Sequence, residues 1–244
     1  MINTYRLGGK VIEIASVHTA VHTYCEAYRY GGSPDFAVQT TQPDIEFERE
    51  RSALEDLREG RAVRQFPDEY LEKLAVYRKI AEKMPEYDTF LFHGSAIAVD
   101  GRAYLFTAKS GTGKSTHARL WRKMLGSRAV MVNDDKPLIR IGINQAVVYG
   151  TPWNGKHCLS NNIAVPLKAV CVLQQAKDNT IFRVDKREVY PVLLQQMYRP
   201  LYQPTLAKSL KLLDRLCSLV SLYRMGCNME LKAAALSYET MRAR

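Results

Sequence analysis

The chain has 244 residues, 46% of them hydrophobic and 25% charged, with a net charge of +10 from 35 Lys and Arg against 25 Asp and Glu. That length can bury a sizeable core, as one large domain or a domain with an extension, and the composition excludes a disordered or fibrous chain. No stretch approaches the roughly 18 apolar residues of a membrane helix, and the N-terminus has no signal-peptide layout. Five cysteines without a CxxC pair fit free thiols, so a cytoplasmic protein is expected. The positive charge favours anionic partners; with no arginine-rich run and no aromatic RNA-binding signature, nucleic acid is not expected. Polyanionic nucleotides and acidic peptides fit the same charge.

Residues 3–50 alternate apolar and polar in short runs, among them "TYRLGGKVIEIAS", "EAYRYGG", "FAVQTT" and "DIEFERE", punctuated by Gly8-Gly9, Gly31-Gly32 and Pro43. Short antiparallel strands and turns are predicted there. The apolar spacing in 68–83 predicts a helix, with Pro85 past its end. Residues 1–85 thus read as a small α+β module, and 86–244 as the larger domain. From residue 90 two apolar runs flank Asp100-Gly101, a hairpin dipeptide. A loop, a helix over 114–125 and the strand "RAVMVNDD" follow. Further strands are predicted in "AVVYGTPW", "LKAVCVLQQ", "TIFRVD" and "SLYRMGCN", with helices near 187–199, 204–220 and 229–242. The fold class is mixed α/β with a hairpin-rich sheet.

The chemistry concentrates in "TAKSGTGKSTH", residues 107–117. Strand, small-residue loop and Lys-Ser at a helix start form the pattern of a phosphate-binding P-loop, with Ala108 in the place of its first glycine. Ser110, Gly111, Thr112 and Gly113 let backbone N–H groups turn inward, and the helix aims its positive end at the same point. Lys114 would reach the β and γ phosphates, the Ser115 hydroxyl would hold Mg²⁺, and Thr116 completes the nucleotide-binding set. Asp134 and Asp135 follow the next apolar run; adjacent carboxylates at a strand end can hold Mg²⁺ and accept a proton from an attacking hydroxyl. Asp134 follows Lys114 by only 20 positions, room for one helix, one turn and one strand. The acids therefore belong to the very next strand.

A hairpin, a P-loop and an Asp-Asp strand in immediate succession resemble the HPr kinase/phosphorylase and ATP-dependent phosphoenolpyruvate carboxykinase group. "FHGSAIAVDGRAYLFTAKSGTGKST" is similar to the HPr kinase stretch in which a His-Gly pair opens the hairpin. The resemblance covers 90–140 well and the strands to about 185 loosely. It implies that His93 is an active-site histidine, Lys114 and Ser115 the phosphate and metal residues, and Asp134-Asp135 the catalytic acid pair. A closer likeness is to the HPr-kinase-like proteins of bacterial gene clusters, including kinases of lasso-peptide precursors. "YGTPWNGKH" stands where HPr kinases carry a different signature, so the expected acceptor is not HPr.

ATP (or GTP) with Mg²⁺ is the expected cofactor set, and a hydroxyl of a peptide, protein or metabolite the expected acceptor. Asp134 is the candidate general base and Asp135 with Ser115 the metal holder, the two acids being able to exchange roles. A nucleotide-binding regulator with little turnover and a phosphorylase acting in reverse are the alternatives. In the 150–157 loop, Trp153 offers an apolar surface and Lys156 a cation for a substrate. His18 and His22, four apart without further ligands, read as structural.

Overall fold

In the computed structural model, which describes residues 1–109, 111–155 and 157–243, the chain divides into two units, Met1–Lys83 and Met84–Arg244. The first opens with β1 (Ile2–Leu7) and β2 (Lys10–Ala15), an antiparallel hairpin. Gly8 and Gly9 both have positive φ at its turn, as the twist of a two-residue connection requires. Then come α1 (Ala20–Cys25), β3 (Phe36–Gln39), α2 (Gln42–Arg58) and α3 (Asp68–Lys83). Tyr5, Ile12, Ile14, Ile45, Leu71 and Ile80 form its interior.

Three expectations are corrected here. The run "DIEFERE" is not a strand but part of α2, a helix started by a reciprocal cap between Thr41 and Asp44, with Pro43 in its first turn. Its helical period was hidden because the buried face is partly acidic: Glu48 and Asp56 are buried with Ile45. Glu48 is held by Arg78 at 2.5 Å, and Asp56 by Arg61 and Arg64 at 3.1 and 2.8 Å. Likewise "EAYRYGG" forms no strand; Glu26–Tyr28 is a 3₁₀ turn continuing α1. Finally, β3 pairs with β2 in parallel, not antiparallel.

The second unit contains β4 (Thr89–Leu91), β5 (Ser95–Val99), β6 (Arg102–Thr107), α4 (Lys114–Leu125), β7 (Ala129–Asn133), β8 (Leu138–Ile141) and β9 (Ala146–Tyr149). After them come β10 (Ala164–Gln175), β11 (Thr180–Arg183), α5 (Lys186–Gln196), α6 (Gln203–Leu219), β12 (Ser221–Cys227) and α7 (Leu231–Arg242). Its nine strands form one sheet in the order β4-β8-β9-β10-β6-β5-β7, with β12 pairing β10 and β11. The architecture is mixed α/β.

Both faces of this sheet are covered, which is why its central strands read as continuous apolar runs. Side chains alternate between faces. Ala103 and Leu105 of β6, with Val170 and Val172 of β10, join a core completed by Val189 and Leu193 of α5 and Leu213 and Leu216 of α6. Tyr104 and Phe106, with Cys171 and Leu173, join the opposite core, completed by Trp121 of α4 and Ala234 and Tyr238 of α7.

Strand direction decides where the chemistry falls. β6 runs parallel to β10, and β10 to β12; β5 is antiparallel to both β6 and β7. The strands β7, β6, β10 and β12 therefore end at one edge of the sheet, where β5 begins. Residues after β6 and β7 and before β5 meet there, the usual place for a ligand in an α/β sheet.

Candidate functional site

Among the described residues, the start of α4 leaves backbone donors uncommitted. Gly111 and Gly113 have positive φ, 79° and 112°, which a residue with a Cβ resists. Ala108 is not among the positive-φ residues, so alanine serves where the motif has glycine. Gly113 caps α4 without a side-chain hydrogen bond, and the helix has no acid in its first turn. Its first amides are thus orphan donors beside the positive end of a 12-residue helix, an arrangement that attracts anions. Lys114 is buried and its Nζ donates to Ala108 O at 3.1 Å. Burial pushes its ammonium below the usual lysine range, against the opposing pull of Asp135. Ser115 is exposed and Thr116 half-buried. Ser110 lies outside the described residues.

At the end of β7 the two carboxylates meet different surroundings. Asp134 is 3% exposed. Its Oδ1 accepts from Gly155 N at 2.6 Å, while the buried Oδ2 has no hydrogen-bond partner. Burial raises its pKa, the Gly155 bond opposing and the Asp135 charge adding to the rise. Asp135 is half-buried; its Oδ1 lies 3.1 Å from His93 Nε2 and 3.1 Å from Lys136 Nζ. Burial would raise its pKa too, but the His93 hydrogen bond and the Lys136 charge outweigh it and hold Asp135 below the usual carboxylate range. His93 is itself shifted down by burial, with Asp135 opposing. The backbone fixes this group: Gly94 N donates to Asp135 O, Thr107 Oγ1 to His93 O and Ser95 Oγ to Asp134 O, each at 2.9 Å.

Asn133, at the end of β7, lies outside the motif residues of the sequence yet organises the turn. Its Oδ1 accepts from the amides of Asp135 and Lys136, and its Nδ2 donates to Thr151 and Trp153. An Asx turn written as "NDDK" was the available signal. Trp153 is the point of correction: it is 6% exposed, so it offers a substrate no apolar surface. Lys156 lies outside the described residues. His157 is exposed. In the N-terminal unit, His18 Nδ1 pairs with Glu72 at 2.8 Å and His22 bonds Tyr5 and Ser16, so both are structural. His117 is buried, its Nε2 2.9 Å from Ser237 Oγ.

Two cavities flank the loop. One of about 610 Å³ is lined by Ala108, Gly111 and Thr112, the end of β10 at Gln174 and Gln175, and Arg224. The other, about 280 Å³, lies along α4 and brings Ser115, Asp134, Arg119, Arg122 and His157 together. Among the described residues, no group of three or more metal-ligating side chains occurs and no helix is long and apolar enough to cross a membrane.

The HPr(Ser) kinase/phosphatase from Coxiella burnetii is similar in structure at 9% identity, over 63% of this chain and 99% of that one, with a TM-score of 0.32. No curated protein matches the sequence. Residues 68–206 match the family described as SynChlorMet cassette protein ScmC. That match spans more than half of the chain, and the protein belongs to this family.

Proposed function

We propose that the chain is a magnesium-assisted phosphotransferase that passes the γ-phosphoryl group of ATP or GTP to a hydroxyl of a peptide, protein or metabolite other than HPr. The observation that carries the reading is the convergence, at one sheet edge, of an anion-attracting glycine loop, Lys114 and two carboxylates of unequal basicity. Phosphoryl transfer asks little more of a protein than positioning and charge stabilisation. The larger cavity, bounded by the loop and the ends of β6 and β10, has the size for a nucleotide. Loop amides and Lys114 would clamp its phosphates.

Asp134 is the proposed base. Its unpartnered oxygen and raised pKa suit a group that must take up a proton. The acceptor oxygen bonds the γ-phosphorus as the bond from that phosphorus to the bridging oxygen breaks. The bridging oxygen leaves on the nucleoside diphosphate, and the acceptor proton passes to Asp134 Oδ2. Magnesium takes hard oxygen ligands, and the donors here are of that kind. Ser115 and the ionised Asp135 would hold it, with Lys136 yielding its place on the carboxylate; when bound, the ion neutralises phosphate charge. Asp134 shares a cavity with Ser115 and is the alternative holder.

The test is calorimetry with MgATP and MgGTP, joined to γ-phosphate release, on the native chain and three variants. Lys114→Ala is expected to weaken nucleotide binding at least tenfold, roughly the worth of one lost charge-assisted contact. Asp134→Asn should bind nucleotide and not transfer; Asp135→Asn should lose the magnesium dependence of binding. If Lys114→Ala retains full affinity, the reading of the loop fails. Binding without any turnover would leave a nucleotide-binding regulator.

A further inference from the structure

The smaller cavity holds two cations with nothing to neutralise them. Arg119 and Arg122 follow Ser115 by four and seven residues, so all three share one face of α4. Among the described residues neither guanidinium is engaged in a hydrogen bond or an ion pair. The same cavity is lined by Ser115 and by Asp134, whose Oδ2 is unpartnered. Some exposed arginines of this chain are held by carboxylates: Arg29 takes Glu26, Arg128 takes Asp100 and Arg242 takes Glu239. Two that do not, lining a concavity, are free to bind an anion from outside.

We infer that this cavity seats the phosphoryl acceptor, and that the acceptor is an acidic one: a hydroxyl compound whose carboxylate or phosphate pairs with Arg119 and Arg122. The assignment rests on the proposed phosphotransfer and adds the class of substrate and the residues that select it. Three observations carry it. The larger cavity beside the loop is the one proposed above for the nucleotide, which leaves this one for the second substrate. A volume of about 280 Å³ is at the low end for ligand sites and fits a fragment of one or two amino acids. Helix geometry sets the spacing: at 1.5 Å per residue, the two arginines start about 6 and 10 Å beyond Ser115, and their side chains lean back towards it. The acceptor's anion therefore lies about one residue's length from its hydroxyl. Guanidinium forks favour planar, bidentate anions, which places carboxylate first and phosphate close behind.

Nitrogen-15-labelled full-length protein is titrated with three probes while the Arg119 and Arg122 side-chain resonances are followed. They are acetyl-seryl-glutamate amide, its neutral glutamine counterpart, and glycerol 3-phosphate, a small hydroxyl compound with a phosphate. The glutamate probe is expected to shift both arginine signals saturably and to bind about tenfold more tightly than the glutamine probe. Tighter binding of glycerol 3-phosphate than of the glutamate probe would make the acceptor a phosphorylated metabolite instead of an acidic peptide. Arg119→Gln/Arg122→Gln should erase the difference between the charged and neutral probes, and the double lysine variant should keep most of it. Equal binding of the glutamate and glutamine probes overturns the inference. So do anion-induced shifts confined to Gly111 and Gly113, or arginine shifts produced by nucleotide alone. Nucleotide binding is measured in parallel: its absence beside intact glutamate binding removes the phosphotransfer reading and leaves the anion seat standing.

Discussion

Acid should loosen the helix that carries the glycine loop, and His117 is the reason. The imidazole is 2% exposed, edge-on to Phe106 with ring centres 4.7 Å apart. Its Nε2 meets Ser237 Oγ, while its Nδ1 is buried with no partner. Protonation would put a cation in this core with one new N–H and nothing to accept it. Burial accordingly pushes the pKa from 6.5 down to about 4. Above pH 6.5 the ring is neutral whether folded or unfolded, and no stability is at stake. Between about 6.5 and 4 the unfolded chain takes up a proton that the folded chain refuses, so stability falls as pH falls. At 1.36 kcal/mol per pH unit, a gap of about 2.5 units amounts to about 3 kcal/mol.

The assay is urea unfolding between pH 7 and pH 4, followed by tryptophan fluorescence, on the native chain and on His117→Gln. The substitution removes the titration and retains a polar end group for Ser237. His22 is also buried with a lowered pKa and adds its own acid sensitivity, so the difference between the two curves is what counts. That difference should shrink by about 3 kcal/mol on acidification, the size of the His117 gap. Curves that run parallel from pH 7 to pH 4 refute the argument.

Ser237, fully buried, accepts from Trp121 Nε1 at 2.8 Å and joins α7 to α4. Ser237→Ala orphans that indole N–H together with His117 Nε2 and should cost about 1–3 kcal/mol by urea unfolding. Gly150→Ala should cost a similar 1–3 kcal/mol and shift the amide signals of Asn133 and Thr151, since its Cβ would fall 2.6 Å from Val132 O and closer still to Asn161 O; an unchanged spectrum contradicts this. We propose that residues 1–85, which supply none of the candidate groups, help to choose the acceptor. Their removal should spare nucleotide binding and abolish acceptor phosphorylation, and a truncated chain that still phosphorylates its acceptor dismisses that role.

What was legible in the sequence was local. The bounds of α3 and α4 follow from apolar period and flanking residues, and Asp100-Gly101 turns with positive φ at both positions, as its dipeptide implies. What depended on partners distant in sequence was not legible. α2 hides its period because Glu48 is buried against Arg78, 30 residues on. β8 carries only four residues of apolar pattern, and its place between β4 and β9 is set by the sheet. At the site, the 20-residue spacing brings Asp134 back to the loop's edge of the sheet. No pattern around it could tell that Trp153 turns inward, because the 150–160 segment is anchored by Asn133 and Asn161 through bonds that cross the chain.

The same distance effect separates the two adjacent acids, and it gives the pair its chemistry. The two acids sit in the turn after β7 and meet different surroundings. Asp134 lines the α4 cavity, where only one of its oxygens finds a donor; Asp135 meets His93 from before β5 and its own neighbour Lys136. Each carboxylate also feels the other, so ionising one discourages ionising the second. The proton therefore has a preferred home on Asp134 while Asp135 stays charged, and an acid–base profile of transfer would report the pair and not either residue. A hydroxyl arriving at Asp134 thus meets a base made stronger by burial beside a neighbour that keeps its charge. That inequality comes from the burial of Asp134 and from His93 and Lys136 beside Asp135, and not from any difference between two aspartates.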